Sequence, residues 1–286
     1  MGNIEKALRL NRLRNQRSIT LYLNAGDPDL DTTYKLIVLC ARLGVDVIEL
    51  GVPFSNSFTD GETVLKSHAR ALANGVTFED VTSLIARVRE EFNIPIVLLA
   101  DFSHTVKPRS TRVVVKSAAE CGADGILLHG CPPMFQSVLV EQAKEHKLET
   151  VFSLYPSTST DRIAETIQRT SGFVYLVSQY GRNGSPIDFR SPTLQNFYAQ
   201  VRRATSLPLM AGFGIKNAQD IETIFRHTSL DGVIIGSAIS KIIEQSGNDI
   251  PNMLRLAEKY IHSLIATRSI GYPDHQQMED HREYAS

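Results

Sequence analysis

The sequence predicts an α/β fold, a single (βα)8 TIM barrel with an extra N-terminal helix and an extra C-terminal helix. Apolar runs alternate with amphipathic stretches along the chain, the pattern of strand–helix units around a parallel sheet. Eight such runs occur, and eight argue for closure into a barrel where five or six would argue for an open sheet. The 286 residues also suit one barrel, which needs about 250.

The elements follow in order. A charged, helix-forming stretch, Asn3–Asn15, is placed to plug the barrel bottom and lacks the apolar centre of a secretory signal. The predicted strands are Ile19–Ala25, Asp46–Gly51, Ile94–Asp101, Asp124–His129, Thr150–Leu154, Phe173–Ser178, Leu207–Gly212 and Gly232–Gly236. They are rich in Val, Ile, Leu and Tyr, and most lack strict polar alternation, as parallel strands buried on both faces do. Between them, apolar residues at spacings of three and four predict helices, among them Thr32–Leu43, Phe78–Phe92, Thr111–Cys121, Gln136–His146, Asp161–Thr170 and Ala218–Thr228. After the eighth strand come a helix near Ala238–Gln245 and a longer one near Asn252–Thr267. No linker divides the chain: residues 1–270 read as one barrel domain, and 271–286 as a polar tail, mobile or in contact with a partner.

Composition narrows the function classes. With 42% hydrophobic and 21% charged residues the chain can bury a sizeable core. A net charge of −1 offers no electrostatic footprint for nucleic acid or an anionic membrane. The apolar runs fall far short of the roughly 20 residues of a membrane span. Met1-Gly2 opens like a myristoylation signal, but Lys6 stands where a small or hydroxyl residue is wanted. Cys40, Cys121 and Cys131, odd in number and unrelated in spacing, read as reduced thiols of a cytoplasmic protein, with no zinc site or disulfide framework.

In such barrels the residues after each strand carry the chemistry. Three features there are hard to explain by folding alone. Glu49 sits inside the apolar run VDVIELGVPF, where an unpaired carboxylate costs several kcal/mol or takes up a proton. The bland alternative is a Glu paired with a core Lys or Arg, and no basic residue lies nearby in sequence. Asp60 follows on the loop after the same strand; Asp-Gly is commonly a mere turn, but two carboxylates facing one cavity are how proteins separate an acid from a base. Gly212-Phe213-Gly214 and Gly236-Ser237 follow strands seven and eight, where glycines and a helix N-terminus form a phosphate site.

These residues resemble the tryptophan synthase α-chain family. ELGVPFSNSFTDG (Glu49–Gly61) is similar to the family's signature loop, supported in order by AGDPD (Ala25–Asp29), GFVYLVS (Gly172–Ser178), GFGI (Gly212–Ile215) and DGVIIGSAI (Asp231–Ile239). The resemblance spans roughly residues 15–245. It implies a carbon–carbon lyase that cleaves indole-3-glycerol phosphate to indole and glyceraldehyde 3-phosphate by retro-aldol chemistry, with no cofactor and no metal. On the same basis Glu49 shuttles the proton, and Asp60 accepts a hydrogen bond from the indole N–H. Gly184, Gly214, Gly236 and Ser237 hold the phosphate on their N–H groups. Tyr22, Leu99, Leu127, Tyr175 and Phe213 wall the pocket, with Asp101, His129 and Asn183 at its rim.

The departures are as informative. Where the family loop reads S-D-P-L-A-D-G-P, this chain has Ser55-Asn56-Ser57-Phe58-Thr59-Asp60-Gly61-Glu62, keeping Asp60 but losing an acid and two prolines. That loop faces the β-chain partner in the family, so its change argues against an ordinary β-chain here. The family's Tyr-x-Asn after strand three is Asp101-Phe102-Ser103, its small residue and Asp after strand four are His129-Gly130, and its Gly-Val-Thr-Gly is Gly181-Arg182-Asn183-Gly184. Asp101 and His129, on adjacent strand ends, are placed either to meet the substrate or to pair and replace lost hydrogen bonds. The competing readings are a lyase for a substituted indole or other heteroaryl glycerol phosphate, and a non-catalytic subunit that activates a β-type synthase. Retention of Glu49 and Asp60 speaks against the second. A Schiff-base aldolase would need a strand-end Lys, and none of the eight strands ends in one.

Overall fold

The computed structural model of the chain describes residues 1–178, 187–212 and 214–272. Helix α1 (Asn3–Leu13) precedes β1 (Ser18–Asn24), α2 (Leu30–Leu43), β2 (Val47–Gly51), α3 (Glu62–Ala73), α4 (Phe78–Arg89) and β3 (Ile96–Asp101). A π-helical turn, Phe102–Val106, leads through α5 (Lys107–Arg109) and α6 (Thr111–Glu120) to β4 (Gly125–His129) and α7 (Pro133–Glu145). Then come β5 (Glu149–Thr150), β6 (Phe152–Leu154), α8 (Thr160–Arg169), β7 (Val174–Val177), α9 (Pro192–Ala204), β8 (Leu209–Gly212) and α10 (Ala218–His227). The last elements are β9 (Gly232–Ile235), α11 (Ser237–Ser246), α12 (Ile250–Ile265) and a 3₁₀ turn, Ala266–Ser269. All eight strands read from the sequence are present; α3 and α9 add to the helices it named. The helix starts are chemically marked: Asp29 caps α2, Thr77 and Asp80 form a capping box on α4, and Asn217 caps α10.

The strands pair in parallel in the order β5-β4-β3-β2-β1-β9-β8-β7-β6. Segments β5 and β6 are two halves of one strand interrupted at Val151, the first bonded to β4 and the second to β7, so the two ends of the order meet and the barrel closes. Pairing fixes which side chains point inward. In register lie Tyr22 with Glu49, Glu49 with Val97, Leu99 with Leu127, and Asp101 with His129. Alternate residues Val47, Val97, Leu127, Val151, Phe173, Tyr175, Met210 and Ile234 fill the interior. Their neighbours Ile48, Leu50, Ile96, Leu98, Ile126, Leu176 and Val233 pack outward against the helices. Each such side chain, fully buried, contributes about 1.5–3 kcal/mol.

The end of the barrel where the strands begin is closed, as the sequence anticipated for α1. Ile4 and Leu8 are buried against the interior residues, and Glu149 accepts the N–H groups of Ile4 (2.7 Å) and Glu5 (3.0 Å) at the start of α1. One device recurs around this end. Asp46 accepts the N–H of Ile19 (2.8 Å) and pairs with Arg268; Asp124 accepts that of Ile96 (2.8 Å) and pairs with Arg89; Asp231 accepts that of Leu209 (2.8 Å) and pairs with Arg202. Each Asp precedes its own strand and anchors the start of the strand beside it. Among the described residues no helix is long and apolar enough to cross a membrane. The tail from Pro273 lies outside the described residues.

Candidate active site

Strand parity turns Glu49 into the barrel, between Val47 nearer the plug and Gly51 nearer the mouth. It is 1% exposed, its Oε1 has no hydrogen-bond partner, and no ion pair reaches it among the described residues. The paired-core alternative for this residue therefore fails. Burial pushes its carboxyl up to about 8, so at neutral pH it holds a proton that it can give away. Tyr22, opposite in register, is half-buried, and Tyr175 is buried. Their phenols are raised well above the ordinary value, chiefly by burial and then by the charges of both Glu49 and Asp60. Both rings thus lie within electrostatic reach of both carboxyls, and the four groups share one space.

Room for those rings comes from glycine. A Cβ on Gly51 would meet the Tyr22 hydroxyl at 2.6 Å, one on Gly236 would meet Tyr22 Cδ1 at 2.9 Å, and one on Gly212 would collide with the Tyr175 hydroxyl. Gly236 therefore has a packing reason that the sequence did not reveal.

Asp60 lies on the loop between β2 and α3. Its Oδ2 is 3.5 Å from Nε2 of His68, a buried residue of α3. The Phe54 N–H donates to His68 Nδ1 at 3.3 Å, which leaves the ring proton on Nε2, close to Asp60 but without hydrogen-bond geometry. Burial would raise the Asp60 carboxyl, but the nearby His68 and Ser57 side chains, with His129 beyond them, outweigh it and hold the group below its usual range. One carboxyl of the space is protonated and the other ionised. That is the arrangement that separates an acid from a base.

Asp101 and His129 pair, Oδ2 to Nδ1 at 3.3 Å, and the far ring nitrogen of His129 meets Thr59 Oγ1 at 3.1 Å. Leu99 and Leu127 lie below them in the same interior stack. Opposite, Gly214 adopts the left-handed conformation (φ 79°) after β8, and Gly236 begins α11 with no side-chain cap. The first amides of that helix, Ser237 among them, are the unsatisfied donors of a helix start. Gly184, Asn183 and Phe213 lie outside the described residues. Sequence reasoning passed over His68, His104, Phe54 and Thr59. Only Thr59 had a signal, its place beside Asp60. Among the described residues no group of three or more potential metal ligands occurs.

The model of the family described as tryptophan synthase alpha chain matches residues 8–267. The tryptophan synthase alpha chain of Citrifermentans bemidjiense is 37% identical over 235 residues, 81% of this chain and 85% of that one. The structure of the tryptophan synthase alpha chain of Legionella pneumophila superimposes with a TM-score of 0.82 at 26% identity, covering 93% of this chain and 97% of that one. A tryptophan synthase complex from Pyrococcus furiosus gives 0.78 at 29% identity, covering 88% and 99%. With the family model spanning nearly the whole chain, and the barrel and its ordered motifs shared, this chain belongs to the tryptophan synthase alpha chain family, the carbon–carbon lyases that cleave indole-3-glycerol phosphate to indole and glyceraldehyde 3-phosphate.

Proposed function

We propose that Glu49 is the acid–base residue of this cleavage, that Asp60 is its anionic partner, and that the chain works without a β-chain. The observation that carries the reading is the pair of opposed protonation states around Tyr22 and Tyr175: Glu49 pushed up to about 8, Asp60 held low. Glu49 gives its proton to C3 of the indole. Asp60 accepts the indole N–H and stabilises the positive charge that then develops on the ring nitrogen. The Glu49 carboxylate next takes the proton of the C3′ hydroxyl as the C3–C3′ bond breaks. The bonding pair returns to the ring, the hydroxyl carbon becomes the aldehyde, and Glu49 ends protonated as it began. A positioned acid–base step of this kind contributes about 10²–10⁴ in rate.

The phosphate is assigned to the N–H groups of Gly214, Gly236 and Ser237, with Gly184 completing the cradle, and the indole to the space walled by Tyr22, Leu99, Leu127, Tyr175 and Phe213. Because a Cβ on Gly236 would strike Tyr22, a substitution there tests packing and anion approach together. A crystal soaked in glycerol phosphate separates them: the anion belongs over Gly214 and Ser237, and density elsewhere in the mouth removes the cradle.

Independence rests on the loop from Pro53 to Glu62, whose Asp60 is already held by groups of the chain itself. One observation favours a second reading, in which a partner covers the mouth: Phe58 on this loop and Met134 on α7 are 87% and 76% exposed. The deciding experiment follows indole from the purified chain and indole-3-glycerol phosphate while a tryptophan synthase β-chain is titrated in. Steady indole from the chain alone, with less than about tenfold activation, a coupling below about 1.4 kcal/mol, is the expected result. A stable complex with a hundredfold activation would make this an ordinary α subunit, and no indole in either case would move the substrate elsewhere.

A further inference from the structure

The ends of β3 and β4 hold a hydrogen-bonded chain that reaches the Asp60 loop. Asp101 is buried; its Oδ1 accepts the His104 N–H at 2.9 Å and lies 2.7 Å from His104 Nδ1, while Oδ2 lies 3.3 Å from His129 Nδ1. Burial would raise this carboxyl, yet hydrogen bonds from His129 and His104 bring it down to about 2. An ionised carboxylate only accepts, so His129 donates to it through Nδ1. In the tautomer whose only proton is on Nδ1, Nε2 is an acceptor, 3.1 Å from Thr59 Oγ1, and the Thr59 hydroxyl donates. Thr59 is the residue before Asp60.

The loop has few other restraints. No proline follows Pro53 before α3, and Asn56 takes a left-handed conformation at φ 58°. Besides the buried Ser57, which bonds Asp60 within the loop, its fastenings are side chains from the barrel and α3. Phe54 and Asp60 are held at His68, and Thr59 at His129. The Phe54 ring fills the space between three imidazoles, with centroids 4.6 Å from His68, 5.4 Å from His104 and 6.1 Å from His129. An acid that must meet one substrate N–H tolerates little displacement, since a misplacement of about 1 Å costs on the order of 100-fold in rate.

We propose that Asp101, His129 and Thr59 form a positioning relay that fixes the Asp60 carboxylate in the lone chain, so that His129 and Thr59 act on turnover through Asp60. This inference rests on the proposed role of Asp60. Asp101 orients the imidazole, the imidazole takes the Thr59 hydroxyl, and the backbone link from Thr59 to Asp60 transmits the constraint. No bond to substrate is made by any of the three.

The test uses the full chain alone with indole-3-glycerol phosphate and separates kcat from KM. Thr59→Val keeps the shape and removes the hydroxyl, Thr59→Ser restores it, His129→Phe removes the acceptor, and Asp60→Asn serves as the reference. Thr59→Val and His129→Phe should each lower kcat about tenfold or more with KM within about threefold, and Thr59→Ser should recover most of kcat. The double variant Thr59→Val with Asp60→Asn should be no slower than Asp60→Asn alone, because the hydroxyl then has nothing left to position. A wild-type kcat in Thr59→Val beside an inactive Asp60→Asn overturns the relay and leaves the role of Asp60 standing. A loss confined to KM, or additive losses in the double variant, overturns the relay as well. An active Asp60→Asn, or a wild-type chain that releases no indole alone, overturns the underlying reading and the relay with it. Should His129→Phe fail to fold, the Thr59 pair decides by itself.

Discussion

The two ends of the barrel treat buried carboxylates in opposite ways. Where the strands begin, Asp46, Asp124 and Asp231 each accept an amide at the start of a neighbouring strand and each pair with an arginine. Glu149, at the same end, accepts two amides of α1. Where the strands finish, Glu49 is as deeply buried as any of these and its Oε1 meets nothing. Folding needs the first kind: a buried charge is tolerated when pairing and hydrogen bonds replace its lost water. The second kind is a standing cost to the fold. A carboxyl left unsatisfied in the one open end of a barrel is held ready for a group that is not part of the protein.

The contrast breaks most visibly in activity. Glu49→Gln keeps the shape but cannot shuttle a proton, and is expected to lower kcat for indole release at least about 10³-fold while substrate still binds. A variant that keeps most of its turnover would put Glu49 among the structural carboxylates. The opposite end should answer in stability. Asp231→Ala strands Arg202 and the first amide of β8, and breaking such a buried pair costs about 3–5 kcal/mol. Urea unfolding should show that loss, with kcat/KM of the folded fraction close to wild type; a normal midpoint would deny the anchoring device its weight.

Much of this division was legible in the sequence. The apolar runs located all eight strands, because a strand buried on both faces must be apolar throughout. Glu49 stood out against Ile48 and Leu50 for that same reason, and the glycines after β8 and β9 marked a possible anion site by position. The partners of Asp60 were not legible. His68 lies on α3, which the amphipathic pattern did not single out, and its ring becomes relevant only when that helix packs against the loop. His104 follows β3 on a π-helical turn, a local geometry that residue spacing does not announce. Asp101 and His129 were noticed as departures, with their pairing left open; strand register closed it, by setting the two side by side. Gly236 shows the converse, a signal read too simply, since the missing Cβ also makes room for Tyr22.

The contrast sharpens with pH. The ordinary value of a glutamate carboxyl is 4.5 and the fold raises that of Glu49 to about 8. Between those values the native state binds more protons than the unfolded chain, so this group's contribution to stability falls as pH rises through the window and is fully lost above about 8. Glu49→Gln has no such proton. Thermal melts should therefore find the variant a few degrees more stable than wild type at pH 9, with the advantage shrinking towards pH 5. An advantage that does not change with pH would mean that Glu49 titrates as an ordinary surface carboxyl.

The smallest expected effect belongs to the other buried glutamate. Glu149 also sits in a strand, and burial, partly offset by the amides of Glu5 and Ile4, raises its carboxyl to about 7. By its titration alone it resembles Glu49. The geometry separates them: both Glu149 oxygens are spent on the first amides of α1, with the interior layer of Leu127, Val151 and Phe173 between it and the mouth. Glu149→Gln still offers one oxygen to those amides, and Ile4 and Leu8 keep α1 docked by burial. The loss should be about 1–3 kcal/mol of stability, the worth of a hydrogen bond to a charged group, and kcat/KM should stay within about threefold of wild type. Side-by-side kinetics of Glu49→Gln and Glu149→Gln make the comparison direct. If both lose turnover alike, a raised carboxyl anywhere in this barrel matters for the reaction, and the distinction between its two ends falls.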